Sequence, residues 1–265
     1  MSLADLTLER WRSFELPAAR QLAAEVAEFA GGRVSAVETV EHLGLPLHRV
    51  RIEREGQEFA LVPGGTVMLG FDPDTWQPAP GQAADYAESR KEGHGAGPDL
   101  RTHLARVLSA RRRVTPGAVL MAVEGENLGV APDEIPAVLA VRGLRMPSAD
   151  EWEHACGAGA DTLFRWGNEC PLDRIPYEDE TGPHEELSAL GLRIAHDTYS
   201  VELSSDVTAV HGGDGGGSVC GGYGSLLMWL SLATANRNPS MAEVAYGPDG
   251  VYLYDDFTTR PVLAL

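Results

Sequence analysis

Cationic residues are scarce in this chain. Lys and Arg number 21 against 39 Asp and Glu, a formal net charge of −18. A phosphate-binding surface needs clustered Lys and Arg, so nucleic acid and anionic membrane surfaces are excluded as partners. The run Arg111-Arg112-Arg113 is too short to change that and is expected to end a helix, where cations suit the dipole. The acidic excess serves solubility. Long apolar runs are also lacking. The longest, Leu226 to Ala233, is interrupted by Ser231 and falls well short of the ~20 residues that a membrane helix needs. Cysteine is sparse: Cys156, Cys170 and Cys220 stand in no metal-like spacing. Their odd number, with no leader-like start, predicts reduced thiols and a cytoplasmic protein. The glycine-rich segment Gly212 to Gly222 has no Walker lysine and no strand–Gly-x-Gly–helix context, which argues against nucleotide binding.

What is present reads as one folded domain rich in turns. The 265 residues are 43% hydrophobic, enough for a large core, and 30 glycines with 17 prolines predict many connections. Pro17 to Ala30 has helical periodicity, with Leu22, Val26 and Phe29 on one stripe and Gly31-Gly32 as the stop. Val34 to Leu43 is expected as a second helical or mixed piece. Residues 1–47 therefore read as a helical extension packed on a main domain of residues 48–265. There His48 to Ile52 alternates like a strand, Glu55-Gly56 turns, and Phe59 to Val62 forms a second strand. Residues 71–110 read as a loop and helix insertion, with a helical turn near Ala83 to Arg90 and a helix from Asp99 carrying Leu100, Leu104 and Leu108. His94 and His103 read as a loop histidine and a helix-surface or half-buried histidine. A strand is expected within Val114 to Val123, and Leu226 to Leu230 is expected as a core strand.

The most informative stretch is Arg145 to Asn168. Ser148 and Glu151 have capping-box spacing, in which the serine oxygen accepts a free backbone N–H and the glutamate reaches back to the cap. Arg145-Met146-Pro147, Glu151-Trp152-Glu153 and Phe164-Arg165-Trp166-Gly167 follow in order. A second motif runs Val62-Pro63-Gly64-Gly65 and then Met68-Leu69-Gly70. Together these resemble the formylglycine-generating enzyme / sulfatase-modifying factor family. The resemblance runs discontinuously from about residue 48 and includes Asn236-Arg237 and the closing Asp256 to Leu263 with Phe257 and Arg260. It implies an α+β fold related to C-type lectins, with little regular structure and many loops. It also implies that Trp152 and Trp166 anchor a core and that Arg260 forms a structural salt bridge.

Family members carry a calcium-binding turn and two active-site cysteines five residues apart that bind copper. Here the turn region reads Gly191-Leu192 through Glu202 and Asp206. The resemblance places a calcium site at Asp197, Glu202 and Asp206, because calcium takes six to eight oxygens. Gly216-Gly217-Ser218 and Cys220 align with the first active-site cysteine, but Ser225 stands at the second position. One thiolate does not reproduce a two-sulfur copper site, so copper is disfavoured. Cys220 is the candidate nucleophile or ligand, with His211, Asp214 and Ser225 as expected neighbours. The iron-binding His-x3-His-x-Glu motif of the related sulfoxide synthases is absent from the sequence. The expected function is therefore a divergent, non-copper protein that binds a peptide, glycan or small molecule, or an enzyme of other chemistry. The alternative is a formylglycine-generating oxidoreductase acting on a protein cysteine.

Overall fold

Two short helices open the chain and cover one face of a sheet. The computed structural model describes residues 2–247 and 257–265. Helix α1, Leu8–Arg12, starts at Thr7, whose hydroxyl accepts from Arg10 N at 3.2 Å. Helix α2, Leu16–Ala30, carries Pro17 in its first turn, where the missing N–H costs nothing, and stops at Gly31 in the left-handed region. Its buried stripe is Ala19, Leu22, Ala23, Val26, Ala27 and Ala30. Phe29, expected on that stripe, is 58% exposed, one position around from the packed face.

The stretch Val34 to Leu43, expected as helical or mixed, lies instead in strand β1, Arg33–His42, up to its last residue, Leu43, which begins a turn. It pairs antiparallel with β2, Leu45–Arg54, through a tight turn in which Leu43 and Gly44 both have positive φ. That geometry matches the right-handed twist of a two-residue hairpin. A second such turn at Glu55-Gly56 leads into β3, Gln57–Val62. Strand pairing thus overrides the weak helical pattern, and the helical part of the N-terminal region ends at Ala30. Strand β4, Val67–Leu69, pairs with β5, Arg112–Val114, so the expected insertion leaves and re-enters the fold through one antiparallel ladder. Between them lie α3, Pro80–Lys91, and α4, Leu100–Val107. Strand β6, Val119–Ala122, pairs with β3.

Helix α5, Ile135–Val141, precedes α6, Ala149–Gly157, which has the expected capping box: Ser148 Oγ accepts from Glu151 N, and Glu151 accepts from Ser148 N at 2.8 Å. The Glu151 carboxylate also takes two hydrogen bonds from Arg145, at 2.7 and 2.6 Å. Trp152 is fully buried; Trp166 is half-buried, stacked on Phe164 at 4.8 Å and edge-on to Trp229. Strand β7, Val201–Leu203, is followed by a single helical turn α7, Gly217–Cys220, then α8, Ser225–Leu230, and α9, Pro239–Ala245. Leu226 to Leu230, expected as a strand, is thus helical. A continuous apolar run has no period to separate the two states, and only four of the six α8 residues are buried, as one helix face requires.

Strand β8, Phe257–Thr259, pairs parallel with β7, and β9, Val262–Ala264, completes a five-stranded antiparallel sheet in the order β1-β2-β3-β6-β9. Asp256, part of the closing motif, lies outside the described residues. The class is mixed α+β, as expected. Helix at 31% and strand at 23% exceed the scarcity that the resemblance implied. The longest sparse stretch is residues 158–224, where no element exceeds four residues. No helix among the described residues is long and apolar enough to cross a membrane.

Candidate functional site

Helix α4 and three segments within residues 214–238, more than a hundred residues later, line a cavity of about 290 Å³. Helix α4 contributes His103, Arg106 and Val107; it is started by Asp99, whose carboxylate accepts from Thr102 N at 2.8 Å. The glycine-rich segment contributes Asp214 and, within α7, Ser218. Helix α8 contributes Leu227 and Leu230, and the link to α9 contributes Asn236, Arg237 and Asn238. The glycines matter for how Asp214 is presented. Gly216 has φ of 75°, and a Cβ there would fall 2.3 Å from the Tyr199 ring. A Cβ on Gly213 would fall 2.1 Å from Ser200 O. Side chains at these two positions would push the segment off its support.

Asp214 is fixed at three points. Its N–H donates to Thr198 O at 3.0 Å, its C=O accepts from Gly217 N, and its Oδ2 accepts from Ser218 N at 3.0 Å. Its Oδ1 is buried and has no hydrogen-bond partner among the described residues. Ser218 is 3% exposed, and its Oγ is likewise buried and unpartnered. Buried polar atoms are nearly always hydrogen-bonded, and leaving one unmade costs about 1–3 kcal/mol. Arg237 Nε, on the same lining, is a third such atom, and all three are sealed within the wall rather than open to the cavity. The two arginines differ. Arg237 is held by Asp150 at 3.2 Å, Asp206 at 3.5 Å and Glu153 at 3.6 Å, so its charge is locally balanced. Arg106 is exposed and forms no ion pair among the described residues.

Two buried histidines border this region, both held neutral. His103 packs its ring near Tyr86 and accepts from Ala96 N at 3.0 Å; burial, with Arg90 and Arg106 nearby, lowers its pKa to about 4. His211 is 1% exposed, stacked on Trp152 at 4.8 Å, with Nδ1 donating to Asn236 O at 3.2 Å. Burial first, then Arg237, lowers its pKa to about 4. His211 was expected beside Cys220; it lies instead in the core, behind the cavity, because its backbone pairs with Glu202 and turns the ring onto Trp152.

Cys220 is exposed at the end of α7. Its sulfur is 3.5 Å from the Tyr199 hydroxyl, rather than against His211, Asp214 or Ser225. That hydrogen bond raises the Tyr199 pKa to about 12. Ser225 begins α8 and does not line the cavity. Cys156 is 1% exposed, and burial pushes its thiol up to about 12. Cys170 is half-buried, and burial likewise raises it to about 12. A copper site needs two accessible thiolates, so the residues present do not fit that metal.

The expected calcium ligands are not assembled. Glu202 is 2% exposed and belongs to the core: Arg260 donates to both its oxygens, at 2.9 and 2.6 Å, and Trp152 Nε1 donates at 2.8 Å. Burial alone would raise its pKa, but Arg260 outweighs this and holds it below the ordinary value. Asp197 accepts from Tyr199 N, and Asp206 accepts from Thr208 N and pairs with Arg237. Among the described residues no group of three or more His, Cys, Asp or Glu could hold a metal ion. Arg260 is in a salt bridge, as the resemblance implied, and is fully buried.

Comparison of the chain with protein-family models, with curated proteins and with solved structures found no match. Sequence reasoning found Asp214 but missed Arg106 and Ser218, and left His103 as a surface or half-buried residue. The available signal was the position of His103 and Arg106 beside the Leu100–Leu104 stripe of an amphipathic helix. Nothing in the sequence joins that helix to residues 214–238.

Proposed function

We propose that this chain is a ligand-binding protein on a divergent scaffold resembling the sulfatase-modifying factors and C-type lectins, and that it takes a small molecule or the end of a peptide in the cavity between α4, α7 and α8. The observation that carries this reading is a concave site of about 290 Å³ in which polar residues, among them Asp214, Asn236 and Asn238, lie beside the apolar Val107, Leu227 and Leu230. Ligand sites combine an apolar lining with a few placed polar groups in this way. The fixed backbone around Asp214 means that little ordering is left for a ligand to impose.

The competing reading is oxidation of a protein cysteine, as in formylglycine-generating enzymes. Its support is the exposed Cys220 thiol at the position of the family's first cysteine. Two measurements separate the readings. Thermal-shift screening with small molecules, short peptides and glycans should yield stabilising compounds whose effect is reduced in Ser218→Ala. Titration of the reduced protein with Cu(I) should show no uptake that depends on Cys220, judged against Cys220→Ser. Thiol-dependent copper uptake with oxidation of a cysteine-containing peptide would reverse the order of the two readings.

A further inference from the structure

Tyr223 lines the cavity and is 39% exposed, so its ring stands where the cavity meets solvent. Gly95, on the same lining, follows His94, whose ring stacks on Tyr223 with centroids 4.4 Å apart and planes 23° from parallel. The stack joins the loop between α3 and α4 to the glycine-rich segment ahead of α8. Neither ring makes a hydrogen bond among the described residues. Tyr223 rests on Gly221, where a Cβ would fall 2.3 Å from the ring, and is otherwise held by His94.

The backbones beneath the two rings are fixed. His94 N donates to Ser89 O at 2.9 Å, Arg90 donates to His94 O at 3.1 Å, and Tyr223 N donates to Ser218 O at 3.0 Å. Each ring stands between two glycines of positive φ: Gly93 and Gly95 beside His94, Gly222 and Gly224 beside Tyr223. Gly95 is pressed against Tyr86 and Gly224 against Ser89, where a Cβ would fall 2.8 and 2.1 Å from the nearest atoms. Gly93 and Gly222 have nothing within 4 Å of that position. With no side chain on either neighbour, each ring can change rotamer over a backbone that stays still.

We propose that His94 and Tyr223 form a two-ring gate at the mouth of the cavity: the stack holds Tyr223 across the entrance, and its rupture lets the ring swing aside. This rests on the binding reading above and concerns entry to that same site. An aromatic pair favours its stacked state by roughly two- to tenfold, so the open state is populated without a trigger. Exposed rings change rotamer within nanoseconds, faster than a ligand exchanges. The gate therefore sets the rates of entry and exit and leaves affinity unchanged.

The test uses benzene as the probe on the full chain, because an apolar cavity of about 150 Å³ already takes it. Val107, Leu227 and Leu230 supply methyl signals on the lining, and their exchange broadening in an NMR titration gives entry and exit rates. His94→Ala should raise both rates together by roughly two- to tenfold with Kd unchanged. The His94 side chain makes no hydrogen bond, so this variant keeps the fold. His94→Phe, which keeps a ring on Tyr223, should return the wild-type rates, and Tyr223→Ala should exchange at least as fast as His94→Ala. Equal rates in every form overturn the gate and leave the binding reading standing. Slower exchange in His94→Ala, or a changed Kd without a parallel rise in both rates, makes the ring a fixed wall and also overturns the gate. Binding to Tyr223→Ala but not to the wild type supports a gate that is shut more tightly. Binding to no form overturns both readings.

Discussion

Acidification should weaken this fold through His211 by an amount that follows from its surroundings. The ring is sealed against Trp152, its Nδ1 already donates to Asn236 O, and its Nε2 has no partner among the described residues. Protonation would bury a second N–H and a positive charge near Arg237. Glu202 and Asp206 pull in the opposite direction, but Glu202 is committed to Arg260 and Asp206 to Arg237. The folded pKa of about 4 lies below the ordinary 6.5. A depressed histidine means that the unfolded chain takes up the proton first. Stability is therefore complete above about pH 6.5 and is lost as the pH falls toward 4. Between about pH 7.5 and pH 5 the loss from this one group is about 2 kcal/mol. His103 titrates in the same range and should add a comparable amount. The assay is urea unfolding at both pH values for the wild type and for His211→Phe, which keeps a ring on Trp152. Each variant's own stability cancels in the comparison, as do the other titrating groups. The wild type should lose about 2 kcal/mol more than the variant on acidification. Parallel losses would refute the argument and mean that His211 is hydrated or paired when charged.

Glu202→Gln should cost about 3–5 kcal/mol in urea unfolding, because it strands the Arg260 charge in the core; a cost below about 1 kcal/mol would mean that water reaches the pair. A thiol reagent added to native protein should modify Cys220 quickly, while Cys156 reacts only on unfolding. Rapid labelling that survives Cys220→Ser and maps to Cys156 rather than to the half-buried Cys170 would contradict the burial of Cys156. Ser148→Ala should cost about 1 kcal/mol through loss of the α6 cap, measured by thermal or urea unfolding, and no change would show that Glu151 alone maintains the start of the helix.

Local signals were readable where a single segment carries its own reason for being structured. The Ser148–Glu151 box, the Gly31 stop and the Glu55-Gly56 turn are all built as their residues suggest. The errors fell where a distant partner decides. Val34 to Leu43 is a strand because β2 pairs with it through a turn, a fact that its own composition only weakly encodes. Leu226 to Leu230 is a helix because one face is buried, while an apolar run looks the same in either state. Glu202 stood among the calcium ligands that the resemblance implied; its role is set by Arg260 and Trp152, remote in sequence. The cavity was legible only in its glycine-rich wall. Its other wall, α4, lies more than a hundred residues earlier and reaches the site because the β4–β5 ladder closes the excursion that contains it.

The Glu202–Arg260 pair also orders events in time as the chain is made. The two residues are 58 positions apart. At a synthesis rate of about 5–20 residues per second, Arg260 is added about 3 to 12 s after Glu202. Throughout that interval the glutamate has no counter-charge, and burying it would be strongly unfavourable. The His211 backbone pairs with Glu202, and the glycine segment bearing Asp214 follows directly. The nascent chain should therefore build its helix-covered hairpin early and leave the cavity wall unformed until the final strands arrive. A late-arriving arginine acts as the latch for a cavity that it never touches.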